Sequence, residues 1–67
     1  MNVGDRVNFQ NKSGYTCEYR VYLVKGEKVS LQEIHRPQNR LVVVKITNIG
    51  TAANPGRNGY FVPEDPT

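Results

Sequence analysis

Tyr15-Thr16-Cys17-Glu18-Tyr19-Arg20-Val21-Tyr22-Leu23-Val24-Lys25 is the stretch whose reading decides the fold. Tyr15, Cys17, Tyr19, Val21 and Leu23 fall on one side of a period-two pattern, with Thr16, Glu18, Arg20 and Tyr22 on the other. Successive side chains of a strand point to opposite faces, so this alternation predicts a long strand whose first set faces a core. Upstream, Val3, Val7 and Phe9 alternate with Arg6, Asn8 and Gln10, which predicts a first strand over Val3 to Gln10. The turn formers Asn11-Lys12-Ser13-Gly14 lie between the two.

Downstream, Lys25-Gly26-Glu27-Lys28 has the length and composition of a hairpin connection, and Val29 to Ile34 is the expected third strand. Pro37 carries no amide hydrogen for a ladder, so His35-Arg36-Pro37-Gln38-Asn39 reads as an exposed loop. Arg40 to Ile49 is expected to form a fourth strand, central or barrel-closing, because it is apolar on both faces at its start. Gly50 to Gly59 contains three Gly, one Pro and two Asn, a composition shared by mobile surface loops and by binding loops. Tyr60-Phe61-Val62 is a short last strand stopped by Pro63, and Glu64 to Thr67 is expected to be loosely held.

Composition agrees with strands. Nine Val, three Ile and four Thr stand against three Leu and two Ala, and β-branched side chains suit a pleated surface better than a helix. The 67 residues leave room for one domain, spanning 1–67, since ordinary domains run to roughly 100 to 150 residues. So short a chain buries only about 60% of its unfolded surface. Closing a sheet on itself hides edge strands and surrounds a core with few residues, so the expected fold is all-β, a small five-stranded barrel. The longest apolar run is Leu41 to Val44, far short of the roughly 18 residues of a membrane span. Met1 to Gln10 offers no apolar signal segment, and the lone Cys17 closes no internal disulfide; a mature, cytoplasmic protein is expected.

The opening Val3-Gly4-Asp5-Arg6-Val7, the central hairpin pair and the ending Gly56-Arg57-Asn58-Gly59-Tyr60-Phe61-Val62-Pro63-Glu64-Asp65-Pro66 together resemble an SH3-like barrel. The opening is similar to the KOW-type modules of transcription and translation proteins, which implies a basic, non-enzymatic binding domain. The chain has no tryptophan and lacks the aromatic opening motif of the peptide-binding branch, and recognition of Pro-rich ligands needs an aromatic-lined groove. The opening also resembles the plasmid-encoded SH3-like dihydrofolate reductases, whose Val-Gln-Ile-Tyr motif is absent here.

The net charge is +3 and the pI about 9.3. Arg36, Arg40 and Arg57 fall in or beside the two longest loops, with His35, Asn39, Asn54 and Asn58 nearby, and such groups hold phosphates and base edges. They would equally keep a small domain soluble. Tyr22 and Tyr60 are the candidates for stacking on bases, whereas Tyr15 and Tyr19 share the expected core face. Cys17 is the only cysteine and His35 the only histidine, too few for a zinc site, so no metal and no cofactor are expected. A nucleophile pair of Cys17 and His35 is conceivable, but Cys17 sits on the expected core face, where cysteine behaves as a small hydrophobe. Glu18, Glu27 and Glu33 read as solvent-side partners of Lys or Arg, Glu64 and Asp65 lie in the tail, and no phosphate-cradling Gly loop occurs, so enzymatic activity is not expected.

Two kinds of partner follow. One is RNA or DNA, held by Arg36, Arg40 and Arg57 with Tyr22 or Tyr60 stacking. The other is a larger protein, bound through an open barrel edge and the Gly50 to Gly59 loop. Its signature would be an apolar patch at Val42, Val44 and Ile46 if Leu41 and Val43 face the core. No membrane partner is expected, and the oligomeric state is open.

Overall fold

Alternating sequence becomes sheet through two tight reversals. A computed structural model describes residues 1–38 and 40–64; Asn39 and the tail from Asp65 lie outside the described residues. β1 (Arg6–Gln10) and β2 (Thr16–Lys25) pair antiparallel, Phe9 opposite Cys17 and Val7 opposite Tyr19. β2 turns into β3 (Lys28–Glu33) through Gly26 and Glu27 alone, with Lys25 facing Lys28. Gly26 takes a φ of +59° and Glu27 does not take a positive φ, the pattern of a two-residue II′ turn, whose twist matches the flanking strands.

β4 (Val42–Lys45) pairs with β3, after which Ile46–Asn48 winds into one 3₁₀ turn. β5 (Gly50–Thr51) runs parallel to β6 (Tyr60–Val62), and β6 returns antiparallel to β1. The six strands make one curled sheet in the order β4-β3-β2-β1-β6-β5. The architecture is all-β and barrel-like, as expected. It has six strands where five were expected, because the stretch read as wholly loop begins with the two residues of β5. The fourth strand is shorter than expected because the chain turns away after Lys45 into the 3₁₀ helix, where the Ile49 N–H donates to the Ile46 carbonyl at 3.0 Å. Among the described residues no helix is long and apolar enough to cross a membrane.

The concave face holds the core: Val7, Tyr19, Val21, Val29, Leu31 and Val44. Each such side chain contributes roughly 1.5–3 kcal/mol by leaving water, so loss of any one is a large fraction of a small domain's stability. Phe9, Cys17, Val24, Ile46, Ile49 and Tyr60 pack around this set.

Three expected core positions lie elsewhere. Val3 is 63% exposed, because Asn2 to Asp5 close a turn of their own: the Asp5 N–H donates to the Asn2 carbonyl and the Asn2 N–H to Asp5 Oδ2. Tyr15 precedes β2 and is half exposed. Leu23 is 50% exposed because the register shifts between Val21 and Leu23, leaving Tyr22 without an opposite residue and turning Val24 inward in place of Leu23. The expected apolar patch is likewise inverted. Val44 pairs with buried Val29 and Val42 with buried Leu31, so those two face the core while Leu41 and Val43 are exposed.

Gly50 to Gly59 is folded tightly against the rest. Thr51 N–H donates to the Asn54 carbonyl, Gly56 N–H to Tyr60, Gly59 N–H to Gly56, and Gln10 N–H to Gly59, all within 3.0 Å. Gly56 is required here, since a Cβ would collide with the Asn48 carbonyl oxygen. Gly59 is required by its φ of +88°.

Candidate functional site

The candidate loop residues divide into two groups with different surroundings. His35 donates from Nε2 to Glu18 Oε1 at 2.7 Å, and the other oxygen of Glu18 meets Arg6 Nη1 at 3.5 Å. The hydrogen bond from His35, reinforced by the positive charge of Arg6, holds the Glu18 carboxyl below its ordinary pKa. Arg36 lies 3.8 Å from Glu33 Oε2. The loop carrying them is further pinned by Ile34 N–H donating to the Glu18 carbonyl and by Gln32 Nε2 donating to the Pro37 carbonyl. His35 and Arg36 therefore share their donors with carboxylates, while Arg40 is exposed at the end of the same loop.

Arg57 and Asn58 are exposed in the second group. Asn58 and Tyr60 line a groove of about 510 Å³ whose opposite wall is β4, with Lys28, Val43, Lys45 and Asn48. Tyr60 is committed largely to packing: its ring centroid lies 4.9 Å from that of Phe9 and 6.0 Å from that of Tyr19. Burial raises the phenol pKa of Tyr60 and pushes that of Tyr19 up to about 12. Tyr22 presents a free ring, 56% exposed, because it is the residue thrown out at the bulge.

Sequence reading missed a row of lysines. Lys25 faces Lys28 across the hairpin, and Lys28 faces Lys45 across β3 and β4, so three lysines occupy one in-register row on three adjacent strands. Like charges directly opposite are destabilising, and Glu27 in the turn is the acidic residue built into this end of the sheet. The next row along the same convex face is Leu23, Ser30 and Val43, two of them exposed apolar side chains. Arg20, exposed and opposite Arg6, continues the basic character toward β1. The convex surface thus combines a lysine row, a small apolar strip and a projecting aromatic ring. The signal in the sequence was the register: hairpin geometry alone places Lys25 against Lys28.

The groove has a second feature. In an antiparallel pair, residues alternate between those bonded to the partner strand and those whose backbone groups point away. The bond from Ile46 N–H to Glu27 sets the phase, so Val44 and Val42 bond to β3 while the N–H and C=O of Val43 and Lys45 point to the outer side of β4. β4 is an edge of the sheet, and that outer side is the groove wall.

Among the described residues no group of three His, Cys, Asp or Glu is arranged to hold a metal ion, and Cys17 is a free thiol. The chain matches no protein-family model, no curated protein and no solved structure.

Proposed function

We propose that the protein is a small, non-enzymatic nucleic-acid-binding module of the cytoplasm that engages the phosphate backbone with the convex face of its sheet. The observation that carries this reading is the in-register row Lys25, Lys28 and Lys45. A phosphate chain relieves the mutual repulsion of such a row and releases condensed counterions as it binds. Tyr22, at the bulge beyond the Leu23 row, supplies a ring for an unstacked base, worth about 1 to 3 kcal/mol per base. Arg40 and Arg57 extend the contact as exposed cations; His35 and Arg36 contribute less, since each already faces a carboxylate. The reading keeps the partner expected from the sequence and moves its centre from the loops to the strands.

The test is an oligonucleotide titration, single-stranded and duplex, over a range of salt. Replacing Lys25, Lys28 and Lys45 together by Gln should lower the slope of log K against log salt by about 2 to 3, at roughly 0.7 to 0.9 per phosphate contact. Tyr22→Ala should weaken single-stranded binding about tenfold and leave the slope unchanged. Absence of binding at low salt, or an unchanged slope in the triple variant, sinks the proposal.

A further inference from the structure

The groove along β4 shares Lys28 and Lys45 with the lysine row, but an occupant there would meet backbone groups that the row does not use. We infer that it receives an extended acidic segment of a protein partner, which adds to the sheet as a further strand on β4. Three observations carry this. First, β4 is an edge strand, and the ladder phase aims the backbone N–H and C=O of both Val43 and Lys45 outward. Natural edge strands are usually covered, charged or interrupted, because an open row of donors and acceptors pairs with any extended chain it meets. Second, the space beside them is a groove of about 510 Å³ closed on its far side by Asn58 and Tyr60, so an incoming strand would be walled on both flanks. Third, the rim is basic: Lys28 and Lys45 line the groove.

The register also says what the segment looks like. Side chains of an added strand that lie opposite Val43 and Lys45 share the convex face with them. The residue opposite Lys45 should be Glu or Asp, and the one two positions along, opposite the 61% exposed Val43, should be β-branched or aromatic. The residue between them points toward Asn58 and Tyr60, which accept a polar or small side chain. Main-chain bonds would supply affinity and these alternate positions specificity. A second copy of this chain fits poorly, because β4 ends in Lys45 and follows Arg40, so β4 pairing with β4 would add basic groups to a basic rim.

The probe is a capped peptide in which Thr alternates with Glu and Val (Thr-Glu-Thr-Val-Thr), compared with the same peptide carrying Lys for Glu. The Glu peptide should slow hydrogen exchange at the amides of Val43 and Lys45, and the Lys peptide should bind several-fold more weakly. Val43→Pro removes an outward N–H without removing a bond to β3, so it should abolish peptide binding while the circular dichroism spectrum and cooperative melt of the fold are kept. Should that variant fail to fold, backbone N-methylation of the peptide on its pairing edge makes the same test on the unaltered protein. The inference is overturned if saturating Glu peptide leaves the Val43 and Lys45 amides unprotected. It is equally overturned if N-methylated or Lys peptide binds as well as the Glu peptide. Concentration-dependent protection of those amides without peptide would assign the edge to self-association, and protection by oligonucleotide but not by peptide would assign it to nucleic acid; either result overturns it.

Discussion

Lys28 and Lys45 stand directly opposite one another on β3 and β4, with Lys25 opposite Lys28 on the other side. Exposed like-charged pairs of this kind cost a few tenths of a kcal/mol to about 1 kcal/mol. Lys45→Glu should therefore raise the melting temperature by a few degrees, most at low ionic strength where screening is weakest. The same variant should bind oligonucleotides less well. Parallel thermal melts and titrations check both halves; a variant that is both more stable and unimpaired would argue that the row has no ligand.

Gly56→Ala places a methyl against the Asn48 carbonyl, a backbone atom that moves only if the 3₁₀ turn moves. The expected loss is about 2 to 3 kcal/mol, the upper part of the overpacking range, read from the midpoint of urea unfolding. Ala at exposed Gly14, where nothing lies within 4 Å of the added methyl, should cost less, limited to the strain of its φ of +89°.

Stability should fall at alkaline pH because of Tyr19. Its folded-state pKa is pushed up to about 12, chiefly by burial, from an ordinary 10.0. A raised pKa means that the folded state prefers the protonated phenol, so the stabilisation is complete below pH 10.0 and is lost as pH rises through about 12. Tyr19→Phe has no such proton to lose, and its melting temperature should decline less over that window. Equal declines in the two proteins would contradict the assignment.

Acid acts through Glu18. The His35 hydrogen bond and Arg6 hold its pKa below 4.5, so its contribution is present above 4.5 and disappears as pH falls through the lowered folded-state value. Glu18→Gln should flatten the acid limb of the stability curve, monitored by circular dichroism. His35→Ala should reproduce part of that flattening, since it removes the principal cause of the shift.

The first half of β2 was legible because Cys17, Tyr19 and Val21 alternate cleanly with charged neighbours. The second half was not: in Val21-Tyr22-Leu23-Val24 every residue is apolar or aromatic, so either phase of alternation fits, and only the pairing of Val24 with Val29 selects one. Leu41 to Val44 posed the same problem, and its phase comes from Val29 and Leu31 on the neighbouring strand. For the site, the exposed Tyr22 was readable, whereas the lysine row was not, because Lys45 reaches Lys28 only through strand register. Gly50 to Gly59 announced unusual backbone, yet whether that backbone served a ligand or close packing depended on Asn48 and Gln10, neither of which the loop's own residues name.

The bulge at Tyr22 separates two properties that a regular strand would keep together. With Tyr22 removed, Val21, Leu23, Val24 and Lys25 would follow in strict in-out-in-out parity, and the set of side chains facing the core would be the same as now. What would change is curvature, because the extra residue adds local twist and bend. Which residues are inside and how strongly the sheet curls are thus encoded independently in this chain. A single deletion would be a dial on the width of the opening between β4 and β6 that leaves the core's composition untouched.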